Sequence, residues 1–192
     1  MSLFTMVNTM VNVFTLAYGV EVSGIDRSEM LTLISVANLI AVVSIPAWAH
    51  LSDRIGRKPV FIVGAAGQVV LIFAFLWALN AGGPGDTVLI WVFGILLLAG
   101  VYSMCNSVYP AYFPEQFPAQ VRYSGMAVSL MLGLVVAGFT PAIAQSISGD
   151  SGNWFGVALF SAVCVAISGV CAGLSRETYR VPTAKLGLKS LG

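Results

Sequence analysis

The sequence predicts an all-α membrane protein of six spanning helices, and three observations carry that expectation. Of its 192 residues, 58% are hydrophobic and only 9% are charged, with a mean hydropathy of +0.90. Apolar residues run in stretches of about 20, the length that crosses a hydrocarbon core roughly 30 Å thick at about 1.5 Å per residue. The 9 lysines and arginines fall almost entirely in alternate connections between those stretches.

The first span, 1–20, lacks a basic start and a small-residue cleavage site, so it reads as a membrane helix rather than a removable signal peptide. "EVSGIDRS" (21–28) leads into the second span, 29–50, where Asp26 three residues before Glu29 has the spacing of a capping-box variant. "LSDRIGRKPV" (51–60) is a polar island before the third span, 59–80, whose first turn tolerates Pro59 because the lost N–H has no partner there. The glycine-rich "NAGGPGDT" (80–87) interrupts the chain before the fourth span, 88–109. In "PAYFPEQFPAQVR" (110–122), Pro114 and Pro118 stop helix propagation ahead of the fifth span, 122–146. "SISGDSGN" (146–153) precedes the sixth, 153–174, and residues 175–192 form a tail. Apolar residues surround each helix instead of lining one stripe, as suits lipid on one side and helices on the other.

Basic residues stay on the cytoplasmic side of a membrane protein. Arg54, Arg57, Lys58, Arg122, Arg176, Arg180, Lys185 and Lys189 fall on one face and only Arg27 on the other, eight against one. The expected topology is therefore a multi-pass inner-membrane protein with both termini in the cytoplasm. No acidic or basic residue lies near mid-membrane, where each would cost about 3 kcal/mol.

A net charge of +1 gives no electrostatic reason to bind nucleic acid. Cys105, Cys164 and Cys171 have no metal-ligand spacing and read as small core residues, and His50 is the single histidine. Neither a metal cluster nor a nucleophile with its base is present, so the sequence predicts no enzyme and no cofactor.

The order of residues in the polar island says more than its charge. Asp53, Arg54, Gly56, Arg57 and Lys58 spell a D-R-x-G-R-K/R core that resembles the short cytoplasmic loop of the major facilitator superfamily, in which it joins the second and third helices of each half. The family's leading glycine is Ala49 here. "PEQFPAQVRYSGMAV" (114–128) is similar to the P-E-x-F-P-x-x-V-R-Y-S-G signature opening the fifth helix of the C-terminal half in the metabolite:proton symporters. "SRETYR" (175–180) resembles the E-T pair that follows their last helix. The resemblance implies one half of a twelve-helix carrier, built as two inverted three-helix repeats, with an N-terminal half or a second copy as its partner. It also implies proton-coupled transport of a small organic acid or zwitterion by alternating access.

The charged motif residues are expected to act as a latch as well as an anchor. Glu115 and Arg122 lie about two turns apart and either pair with each other or each pair with the loop around Asp53, while Gly125 lets the fifth helix approach a neighbour. For substrate contact, the resemblance points to the first, second, fourth and fifth helices. Asn8 and Asn12 share a face of the first; Asn38 lies mid-way along the second; Tyr102, Asn106 and Tyr109 share a face of the fourth. These groups either line a wet cavity or join helices through hydrogen bonds. Gln68 on the third helix reads as packing or a lipid-facing defect, and Gly169 and Gly173 on the sixth as a packing face. No titratable group lies inside the membrane, so the proton site is expected in the partner half. A pore or a membrane-bound regulatory protein is the alternative reading.

Overall fold

The third helix of the bundle sits at its centre, and the computed structural model shows why: small residues on its buried face let two other helices come close. The structure describes residues 9–21, 24–81, 87–118, 120–149 and 153–175. Helix α1 begins as a π-helical turn, Met10–Phe14, and continues as Thr15–Glu21; α2 is Arg27–Ile55 and α3 is Arg57–Ala81. Helix α4 runs through Thr87–Ile95, a π-helical stretch Leu96–Tyr102, and Ser103–Tyr112, followed by a 3₁₀ turn, Pro114–Gln116. Helix α5 is Arg122–Gly138 continued by Thr140–Ser148, and α6 is Trp154–Leu174. Among the described residues, five helices, α2 through α6, are long and apolar enough to cross a membrane. The first predicted span enters the described residues only at Thr9.

Several boundaries differ from the expectation, each for a local reason. The polar island is not a loop: α2 stays helical through Ile55 and α3 starts at Arg57, so Gly56 alone joins them. Gly56 has φ +116° and ψ 152°, a conformation that only glycine adopts without strain, and its N–H still donates to the Ser52 carbonyl at 2.9 Å. The fifth span breaks at Phe139 because Pro141, in the first turn of the second segment, has no N–H and its ring would clash with the Ala137 carbonyl. The capping box does not form. Asp26 sits at the N-cap of α2 but its carboxylate accepts from the Ser28 hydroxyl at 2.6 Å, which holds it below the usual carboxylate range. Glu29 accepts instead from the Trp91 indole N–H at 3.4 Å, tying α2 to α4.

Helix α3 makes its most extensive pairing with α6 and also packs along α4. Gly169 and Gly173 meet it: a Cβ on Gly169 would lie 3.4 Å from that of Ala65, and one on Gly173 would lie 4.0 Å from Ile62. Against α4 the approach is closer still, since a Cβ at Gly64 would come within 3.2 Å of the Val101 carbonyl. Helix α2 packs on α4, and α1 on α2 and on the second segment of α5. The first segment of α5 touches little besides the turn Pro114–Gln116. Cys105 and Cys164 are buried as expected, whereas Cys171 is exposed, on the side of α6 turned away from α3.

Gln68 is not lipid-facing. It is fully buried, and neither amide atom finds a hydrogen-bond partner among the described residues. Burying an unpaired amide costs about 1–3 kcal/mol in protein substitution series, so Gln68→Leu, which keeps the volume and removes the polar group, raises the thermal midpoint of the purified protein. A lowered midpoint would mean that the amide is satisfied.

Candidate functional site

At the end of the bundle that holds Gly56, three chain segments converge: the α2–α3 junction, the α4–α5 connection and the C-terminus of α6. Helix α4 ends where Pro114 begins the 3₁₀ turn, and Phe117 is extended, at φ −103° and ψ 145°, as the residue before Pro118 must be. That bend aims Glu115 back at α3. Its carboxylate accepts from the Arg57 guanidinium, and only 18% and 20% of the two side chains is exposed. The same guanidinium lies 3.9 Å from Asp53, one turn earlier in the chain and 66% exposed. Lys58 donates to the Ser175 carbonyl at 3.0 Å, binding the start of α3 to the end of α6. Buried Tyr112 donates across 3.2 Å to the Ala172 carbonyl and stands equally far from the Ser175 hydroxyl, so α4 is held to the same place.

Of the two pairings open for Glu115, the structure therefore forms the one with the polar island. Arg122 does neither: its Nε and Nη2 lie 3.5 Å from the Phe117 carbonyl, and it meets no carboxylate among the described residues. Gly125 lets α5 approach the connection, since a Cβ there would come 2.7 Å from the Phe117 ring. Arg54 is exposed in the last turn of α2.

The uncharged candidates separate. Asn8 lies outside the described residues. Asn12 is half-buried within the π-helical turn of α1. Asn38 is exposed and donates to the Ile34 carbonyl of its own helix at 2.9 Å, so it joins no helices together. Tyr102, Asn106 and Tyr109 are all half-buried along α4, and Tyr102 closes its π-helical stretch. Such stretches occur often at functional sites, because the extra residue per turn reorients side chains beyond it. Here the π-helical turns among the described residues fall on α1 and α4, the two helices that carry Asn12 and the tyrosine stripe.

Some residues of this end went unread in the sequence: Tyr112, which ties α4 to α6, and Gly64 and Gly67, which let α3 approach α4. The glycines had a signal, their i, i+3 spacing. Tyr112 had none, because its partner is a backbone carbonyl 60 residues away.

The sequence model described as Major Facilitator Superfamily matches residues 1–190. Among curated relatives, the shikimate transporter of Escherichia coli K12 is 33% identical over 174 residues, which is 88% of this chain and 39% of the relative. The proline/betaine transporter of the same organism is 32% identical over 152 residues, 78% of this chain and 29% of the relative. The citrate-proton symporter of Klebsiella pneumoniae is 27% identical over 184 residues, 92% and 40% respectively. The chain thus spans about two-fifths or less of the length of these relatives. No solved structure matches. The relatives are transporters, not enzymes, and they support the resemblance to the metabolite:proton symporters. With the D-R-x-G-R-K motif at a two-helix junction and the family model covering nearly every residue, the chain belongs to the major facilitator superfamily.

Proposed function

We propose that the chain is the C-terminal six-helix half of a proton-coupled carrier that moves a small organic acid or zwitterion by alternating access. The observation that carries the reading is the Arg57–Glu115 pair, which bridges two helix connections at the Gly56 end of the bundle. A charge pair across two helix connections is strong when the end is closed and absent when it opens, which is what a two-state carrier needs. That end faces the cytoplasm, together with both termini and the tail 175–192, because eight of nine basic residues fall there.

The helix pairing supports two inverted repeats. Exchanging α1 with α4, α2 with α5 and α3 with α6 maps the α3–α6 pair onto itself and the α2–α4 pair onto α5–α1. Exposure supports a partner half. Only 22% of the central stretch of α2 and 17% of that of α5 is buried, against 44% for α3, α4 and α6. Leu39, Val42 and Val43 on α2, and Leu132, Val135 and Phe139 on α5, are each more than 60% exposed. Asn38 lies on the same exposed side of α2. Asn8, Asn12, Asn38, Tyr102, Asn106 and Tyr109 supply this half's wall of the substrate cavity, and the proton site lies in the other half.

Co-expression with the N-terminal half of a shikimate or proline/betaine carrier tests this. Labelled shikimate or betaine should accumulate well above the level reached with either half alone, and a protonophore should abolish the difference. Equal uptake by the 192-residue chain alone, or a conductance that does not saturate, would replace the half-carrier with a homodimeric carrier or a pore.

A further inference from the structure

A second polar feature of the Gly56 end takes no part in the Arg57–Glu115 latch. Between the end of α4 and the start of α5 lies a cavity of about 330 Å³, walled by Tyr109, Pro114, Arg122, Tyr123 and Met126. Arg122 is half-buried there. Two of its five N–H groups rest at 3.5 Å on one carbonyl, and no carboxylate pairs with it among the described residues. Glu115, the nearest acid in sequence on the connection, is taken by Arg57. A half-buried guanidinium that meets no carboxylate among the described residues favours an anion from outside the chain. The volume suits a small molecule rather than a macromolecule.

Tyr109 gives the cavity its direction. It is a wall of this cavity and also the last member of the half-buried stripe Tyr102–Asn106–Tyr109, so the polar path along α4 runs about 10 Å from mid-membrane and ends at Arg122. The geometry points to a release site for the carboxylate of the transported molecule: Arg122 takes the carboxylate through its open N–H fork, and the half-buried Tyr109 ring faces the remainder of the ligand. That ring accepts a methylated ammonium through cation–π contact as readily as a ring-shaped apolar body. This rests on the carrier reading above, and it places the cation that the mid-membrane region lacks at the rim.

The test is binding, which needs no transport. The full chain in phosphatidylcholine nanodiscs is titrated with labelled shikimate and with labelled betaine. Arg122→Gln should weaken binding at least about tenfold, and Arg122→Lys should fall between it and the parent, since a point charge keeps the attraction and loses the planar fork. The parent's affinity should also drop with added salt. Unchanged thermal midpoints show that the variants are folded. No binding by the parent, or equal binding by Arg122→Gln, overturns the site. So does displacement of both probes by phosphatidylglycerol with phospholipid retained by the parent and lost in Arg122→Gln, which assigns the arginine to a lipid phosphate. Binding that persists while the co-expressed halves fail to transport leaves the site standing and removes the carrier reading instead.

Discussion

Glu115→Gln should open the Gly56 end of the bundle. The substitution keeps the shape and removes the charge, leaving Arg57, four-fifths covered, with Asp53 as its acid at 3.9 Å. A hydrogen bond to a charged group contributes about 2 kcal/mol, which shifts a closed-to-open ratio by roughly 30-fold. Cys105 provides a native reporter: it is buried on α4, 3.5 Å from the carbonyl of Phe61, which lies one helical turn beyond Arg57 on α3. With Cys164 and Cys171 replaced by alanine, maleimide should label Cys105 of Glu115→Gln about 30 times faster than that of the parent. Asp53→Asn should change the rate little, because an exposed pair at that distance is worth at most about 1 kcal/mol. The double exchange of Arg57→Glu with Glu115→Arg should restore part of the protection. Equal labelling of parent and Glu115→Gln would show that the pair is not a latch. The ranking of the two acids matters, since the sequence motif alone puts Asp53 foremost and the fold puts Glu115 there.

The second large effect concerns assembly. Gly64→Ala should lower the thermal midpoint by several degrees, and Gly64→Val should prevent the protein from accumulating. An added Cβ would sit 2.8 Å from Cys105 Sγ, which can rotate away, and 3.0 Å from Met104 Cβ, which its backbone holds in place. The Val101 carbonyl at 3.2 Å cannot move without shifting the π-helical stretch of α4. Overpacking of this kind costs about 1–3 kcal/mol for a single methyl and more for a branched side chain. Gly100→Ala, on the same stretch of α4, is the matched control, because a Cβ there meets nothing within 4 Å. If both alanine variants melt at the same temperature, the close approach of α3 to α4 is wrong.

Much of this molecule can be read without coordinates because membrane insertion makes composition decisive. Long apolar runs in a chain with few charges have one stable solution, a helix whose backbone bonds are satisfied internally. The turn at Phe117 was also legible, since a residue before proline is sterically driven to extended backbone. Legibility failed where a competing partner stood outside the motif, near or far along the chain. Asp26 and Glu29 have capping-box spacing, but the Ser28 hydroxyl and the Trp91 indole took their carboxylates. Cys171 looks like Cys164 in an apolar run, yet the direction of α3 leaves it exposed. Gln68 looked peripheral, yet the packing of α3 buries it fully.

By itself, then, the amino-acid order determined the helical class, the positions of most breaks and the family, because each depends on local sterics, hydropathy or a short contiguous motif. Tertiary structure alone decided which charges meet. Glu115 had Arg122 seven residues on and Arg57 58 residues back, and only the bend at Pro114 with the tight junction at Gly56 settled the choice. Electrostatic pairing is a matter of distance in space, and a few ångströms set by packed glycines outweigh any spacing along the chain.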